Sequence, residues 1–294
     1  MHTPPARDDL VGAVWMTLAM GVFAVEDALI KFAALTLPVG QILVAFGLGG
    51  AIVFACIARL RHEPLFTPDV LSPPMRIRVG FEITGRLFYF LAVALIPLST
   101  ATVILQATPL VVVASAALVF GERVGWRRWT AVFIGLAGVL VILRPGAEGF
   151  SALSILAVIG MLGFAGRDLA SRAAPASLSA TILGFYGFLS VVAAGLLFSI
   201  WDGHAYALPD GPTGASLITA IGAGVFAYTC LMKAMRTGDV SAVTPFRYTR
   251  LIFGVVLGVV VFGEGMDAAM WIGSALIVVS GLFILWRGAA AENG

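Results

Sequence analysis

Between positions 80 and 90 the chain reads GFEITGRLFYF, an apolar stretch carrying a carboxylate and a guanidinium four residues apart. Helix residues three and four apart share a face, so Glu82, Arg86 and Tyr89 form a single stripe. Two chemistries fit it. Either Glu82 and Arg86 neutralise each other and tie their helix to its neighbours, or Arg86 offers a planar fork to a carboxylate or phosphate while Glu82 receives an amine or a proton. A second basic pair lies in PFRYTR (245–250), where Arg247 and Arg250 are three apart with Tyr248 between them. That run holds no acid, so the counter-charge must come from another element, a bound anion or water. Further acids interrupt apolar sequence at Glu26, Asp27 and Asp168, with Lys31 and Arg172 four residues after the two aspartates. These read as interfacial pairs and gates, or as groups for amine recognition or proton coupling.

The choice depends on the solvent around these residues. Of the 294 residues 60% are hydrophobic and 12% charged, with a mean hydropathy of +1.01, whereas soluble domains are about 25% charged. The chain reads as an all-α membrane protein. Ten apolar runs are long enough to cross a hydrocarbon core of about 30 Å at roughly 1.5 Å per residue. They fall near 10–32, 38–58, 77–96, 100–120, 127–143, 151–171, 178–200, 213–235, 241–262 and 268–286. Transmembrane strands would be shorter and alternating, so a helical bundle is favoured over a barrel. No cleaved signal peptide is expected, because the first run is full length and nine more follow. Residues 1–9 and 288–294 read as tails, and HEPLFTPDVLSPPM (62–75) and WDGHAYALPDGPT (201–213) as surface loops.

Charge placement sets the orientation. With the N-terminus in the cytoplasm, twelve of the 18 Lys and Arg lie on that side, Arg76 and Arg78 among them, while Lys31 and Arg144 lie outside and four fall within spans. That skew predicts a multi-pass protein of the cell (inner) membrane with both termini cytoplasmic. The lipid bilayer and a small-molecule substrate are its expected partners, and the net charge of +2 carries no implication of nucleic acid.

The second half repeats the first. A shift of 142 lays STATVILQATPLVVVASAALVFGE (99–122) on SAVTPFRYTRLIFGVVLGVVVFGE (241–264), and a shift of 141 lays Asp27 on Asp168 and Lys31 on Arg172. The repeats span 10–143 and 151–287, joined by a linker at 144–150. Five spans per repeat is an odd number, so the second enters the membrane from the opposite side and the two are inverted, as in many secondary transporters.

With its spans ending in FGE, each followed by Trp and a Gly-rich span, as in GERVGWRRWTAVFIGLAGVLVIL and GEGMDAAMWIGSALIVVSGLFIL, the whole chain resembles the drug/metabolite transporter superfamily and its ten-helix EamA-type members. The resemblance implies a bundle in which helices 1, 3, 4, 6, 8 and 9 line a central cavity while the helices ending each repeat pack outside. Many relatives carry an Arg after an aromatic in the second helix; this chain has Ala45-Phe46-Gly47 there.

A charge at mid-membrane costs roughly 2.5–3.5 kcal/mol on insertion scales, so such residues face the bundle interior. The expected substrate-contacting set is Glu82, Arg86, Tyr89, Gln106, Arg250, Tyr248 and Tyr228, with Glu26, Asp27 and Asp168 for gating or proton coupling. Arg86 is placed near the midplane, about 15 Å along its helix at ~1.5 Å per residue. Gln106 joins the set because Pro109, one turn on, kinks its helix and frees a carbonyl, whereas Pro245 lies in the first turn of its span, where proline is tolerated. Gly254 and Gly258 read as a close helix contact within a monomer, with a homodimer as the alternative. Glu122 and Glu264, each after a Gly at a span end, read as groups that cap or pair locally, Glu122 with Arg127 or Arg128.

His2, His62 and His204 lie outside the spans, which excludes a histidine relay within the membrane, and Cys56 and Cys230 form neither a disulfide framework nor a metal-ligand spacing. No metal and no cofactor is expected. An enzyme is disfavoured, since the spans hold no nucleophile with an evident base. A non-transporting scaffold would have no use for so many polar groups in lipid. The expected function is secondary transport by alternating access, first as export of amino acids, aromatic and hydrophobic ones included, or related compounds. Uptake of a vitamin or nucleoside-like solute is the alternative.

Overall fold

The computed structural model describes residues 5–119, 121, 125–144, 151–175, 177–235, 237 and 243–292. Glu122, Ser241, most of the linker and the Arg172 side chain lie outside the described residues. All regular structure among the described residues is helical: α1 Pro5–Ala33, α2 Val39–Leu60, α3 Pro73–Leu95, α4 Leu98–Leu105, α5 Thr108–Val119, α6 Trp126–Leu143, α7 Ser154–Arg172, α8 Ala180–Asp202, α9 Gly211–Ala234, α10 Thr249–Phe262 and α11 Ala268–Glu292. α4 and α5 together make the fourth span, and a 3-10 turn at Thr244–Tyr248 joins α10 in the ninth, giving ten spans in two five-span repeats. Among the described residues, nine are long and apolar enough to cross a membrane on their own. α3 is not among them, because Arg76, Arg78, Glu82 and Arg86 lie along it.

Contacts divide the chain into two compact units that differ from the repeats. One comprises Glu26–Ile96 and Leu156–Val225; the other takes the chain up to Val25, Pro97–Ile155 and the part from Phe226 onward. Each draws spans from both halves of the sequence.

In the first unit α2 packs on α8 through rings. Phe46, fully buried, lies 5.6 Å from Phe90 and 5.2 Å from Phe188, centroid to centroid. A Cβ on Gly47 would come within 2.7 Å of the Val192 amide, so only glycine lets these two backbones approach. The second span thus uses the Phe46 position for packing, which accounts for the absence of a basic residue beside it. The 62–75 loop is pinned by Tyr186, whose hydroxyl donates to the Leu65 carbonyl (3.1 Å), and the 201–213 loop by Gln41, which exchanges two hydrogen bonds with the Ala207 backbone (2.6 and 2.9 Å).

In the second unit the proline in the fourth span acts as its chemistry requires. Pro109 has no amide hydrogen to give the Leu105 carbonyl. The Thr108 hydroxyl donates to that carbonyl instead (2.5 Å), and the helix breaks at Gln106–Ala107. A shift of 142 carries this break onto the junction of the 3-10 turn with α10 at Tyr248–Thr249, so the regular α-helix is interrupted at the corresponding place in both repeats.

The FGE motif also acquires a physical meaning. Gly263 is left-handed (φ 65°) and closes α10, with the Glu264 amide donating back to the Gly258 carbonyl (3.0 Å). The turn aims the Glu264 carboxylate at the start of α4, where it accepts from the amides of Leu98 and Ser99 (2.6 and 2.9 Å) and from the Ser99 hydroxyl (2.8 Å). Glu264 is thus a cap, as expected, but it caps another span. Gly254 packs on Thr102 and Gly258 on Glu264, contacts made within one chain. Glu264→Ala leaves two fully buried residues with orphaned amides, and we expect it to lower stability by about 1–3 kcal/mol. Thermal unfolding in detergent, with Glu264→Gln as the partial substitute, measures this. Outside the spans Asp267 accepts from the Met270 amide (2.9 Å) and pairs with Arg144, which together hold its carboxyl below the usual range.

Candidate functional site

The site grows from one face of α3. Arg78, Glu82 and Arg86 succeed one another at four-residue steps, which stacks them on a single stripe. Glu82 is the hub. Its Oε1 lies 3.4 Å from Arg86 Nε and 3.5 Å from Arg167 Nη1 of α7, and its Oε2 lies 3.6 Å from Arg78 Nη2. Arg86 reaches with Nη1 to Glu26 Oε1 of α1 (3.4 Å), and Arg167 folds back on its neighbour Asp168 with two bonds of 2.7 and 2.9 Å. One helical turn beyond Arg86, the buried Tyr89 hydroxyl donates to Asp27 Oδ2 (2.9 Å). Lys31, one turn after Asp27, donates to the Val93 and Ile96 carbonyls (3.2 and 2.7 Å), where its charge meets the negative end of α3.

Phe164 fixes the two forks that share Glu82 Oε1. The Arg167 guanidinium carbon is 4.8 Å from the centre of its ring and the Arg86 carbon 5.6 Å, with Tyr89 edge-on at 5.7 Å. Stacked on an aromatic face, a guanidinium keeps its in-plane N–H donors directed outward. α3 and α7 bring these groups together because glycines line their crossing. A Cβ on Gly160 would come within 2.8 Å of the Tyr89 amide, and one on Gly163 would collide with the Gly85 backbone.

Exposure separates the members of this network. The carboxylates of Glu26 and Glu82 are sealed, their side chains 1% and 4% exposed, whereas Arg86, Arg167 and Asp168 keep 15%, 21% and 23%. The reachable edge therefore carries two positive forks and one carboxylate. Such an edge can take an anion and a cation held close together on one molecule.

Six of the expected residues thus meet in one unit: Glu26, Asp27, Glu82, Arg86, Tyr89 and Asp168. The other four lie in the other unit. Gln106 donates to the Arg247 carbonyl (3.1 Å), Arg250 sits over the Phe23 ring at 5.2 Å, Tyr248 packs against Gly281, and Tyr228 lies on a core of Met16, Met20 and Cys230.

Three participants escaped sequence reasoning. Arg78 reads from the sequence only as a cytoplasmic-side basic residue beside Arg76, and the structure buries it; the Glu82–Arg86 spacing extended one turn back reaches it. Arg167 stood beside Asp168, a spacing that does not share a helix face. Phe164 falls on Phe23 under the shift of 141, a match that assigns it no role.

The sequence matches the EamA-like transporter family twice, over residues 10–144 and 152–286. It is 28% identical over 282 residues to a riboflavin transporter of Vibrio cholerae, covering 94% of this chain and 93% of that protein. It is equally, 28%, identical to the pseudopaline exporter CntI of Pseudomonas aeruginosa, covering 92% and 94%. An S-adenosylmethionine uptake transporter of Rickettsia conorii is 28% identical over 198 residues, 67% of this chain and 66% of that one. A solved crystal structure shares the fold with a TM-score of 0.66 at 22% identity, covering 95% of this chain and 98% of its own. With nine helices among the described residues long and apolar enough to cross a membrane and a family match over nearly its whole length, the chain belongs to the EamA-like transporter family and is a multi-pass membrane transporter.

Proposed function

We propose that this transporter carries small zwitterionic metabolites bearing an amino-acid-like end, and that the Arg86–Arg167–Asp168 edge binds that end. One observation carries the reading: in an ion network whose other carboxylates are sealed, two forks and one acid keep an accessible face. A substrate carboxylate takes bidentate bonds from the guanidinium groups, and its ammonium takes Asp168 from Arg167. Glu26 and Glu82 hold the arginines in place, while Asp27 and Asp168 are the groups that gate or couple to protons. The two inverted repeats work by alternating access around a central cavity, in the inner membrane with both termini cytoplasmic, and the carrier functions as a monomer.

We assign export as the direction, as in the pseudopaline exporter of Pseudomonas aeruginosa. Uptake of a vitamin or nucleoside-like solute is the second reading, favoured by the riboflavin and S-adenosylmethionine uptake relatives. S-adenosylmethionine itself ends in an α-amino acid, so the same edge serves both readings. The test is counterflow in proteoliposomes with labelled amino acids, S-adenosylmethionine and riboflavin. The expected result is saturable exchange of a zwitterion that drops at least about tenfold in Arg86→Gln and in Arg167→Gln, the loss of one charge-assisted bond. Exchange unaffected by both substitutions would remove the site, and exchange of riboflavin alone would remove the zwitterion.

A further inference from the structure

Arg78 is the guanidinium of the network that is least matched in charge. Arg86 has Glu26 in addition to Glu82, and Arg167 has Asp168. Arg78 has only a share of Glu82, at 3.6 Å; its other partners are neutral, the Ser171 hydroxyl (2.9 Å) and the Leu183 carbonyl (3.4 Å). Its Nη1 is buried with no acceptor among the described residues, although the residue as a whole is only 3% exposed. A buried donor without an acceptor bears its full desolvation penalty, so such a group calls for a partner.

Space borders the same guanidinium, on its Nη2 side. A Cβ placed on Gly187 of α8 would meet a single atom within 4 Å, Arg78 Nη2 at 3.8 Å. Gly187 is itself only partly buried. Elsewhere Arg78 is held by α7 at Ser171, by the backbone at Leu183 and by Glu82 on its own helix.

We propose that the crevice between Arg78 and Gly187 is a second anion subsite, which takes the carboxylate of a transported molecule at the N-terminal end of α3. It lies eight residues from Arg86, about 12 Å along the helix at ~1.5 Å per residue. A carboxylate there completes the fork of Arg78, and at Arg86 and Arg167 it finds the next one. This deepens the reading of the Arg86–Arg167–Asp168 edge and rests on it for the identity of the cargo, but not for the chemistry of the crevice.

The test uses acetate, the simplest stable carboxylate, and the intact purified protein in detergent. Melting curves are recorded in acetate and in chloride of equal ionic strength for the parent, Gly187→Ala, Gly187→Asp and the Arg86→Gln/Arg167→Gln double variant. Gly187→Asp builds a carboxylate into the crevice. The expected results are a higher melting temperature than Gly187→Ala, a smaller acetate shift than the parent and blocked counterflow. The double variant, which lacks the outer forks, is expected to keep a part of the acetate shift. Should that variant fail to fold, the parent and Gly187→Asp decide alone. An acetate shift that is absent in the parent or unchanged in Gly187→Asp, or a Gly187→Asp protein that melts below Gly187→Ala, would overturn the subsite. Counterflow indifferent to Arg86→Gln and Arg167→Gln would instead sink the outer edge and leave the acetate result standing.

Discussion

Glu82→Gln is expected to destabilise the protein by about 3–5 kcal/mol and to abolish transport, the penalty for removing one partner of a buried ion network. Three guanidinium groups converge on this carboxylate within 3.4–3.6 Å, and its side chain is 4% exposed. Glutamine keeps the shape and one acceptor but removes the charge. Arg78 would then have no acid partner, and Arg86 and Arg167 one each. In a membrane span the excess charge has no bulk water to spread into, so the helices must separate to hydrate it. Glu82→Asp retains the charge one methylene short and should fall between the two. The measurement is the melting temperature in detergent together with the yield of folded protein in membranes. A Glu82→Gln variant that melts with the parent would mean that the arginines are solvated without it, and the hub would be lost.

What the sequence could and could not convey follows from the range of the interactions. The ten spans are local features, since each apolar run carries its own length, and they appear where the runs lie. The Glu82–Arg86 pairing is local too, set by one helical turn. Gly263 and Glu264 were visible as a repeated motif, but their meaning is not local, because a left-handed turn aims a carboxylate at the start of a span some 165 residues away. The burial of Arg78 is not legible, because it is only two residues from Arg76, and hydropathy cannot tell an exposed arginine from one that the packing of α3 on α7 and α8 draws inward. Gln106 and Arg250 satisfied the rule that polar groups in lipid need partners. The rule names no partner, and in the fold these include a backbone carbonyl and a ring.

The contact between α3 and α7 supplies the last large effect. Gly163→Ala should destabilise by about 1–3 kcal/mol and cut transport more steeply than stability, because overpacking forces two backbones apart. The added Cβ would collide with the Gly85 backbone and lie 3.1 Å from the Phe81 carbonyl, and neither is the end of a flexible side chain. α7 must therefore move away from α3 as a rigid element. Glu82 and Arg86 ride on one helix, Arg167, Asp168 and Phe164 on the other, so any separation acts directly on the 3.5 Å contact between Arg167 and Glu82. Gly80→Ala is the control, on the same helix but with nothing within 4 Å of the new carbon, and it should leave both properties intact. Melting curves and counterflow on the two variants decide the matter. Equal behaviour of Gly163→Ala and Gly80→Ala would show that the crossing has slack, and that the geometry of the arginines does not depend on it.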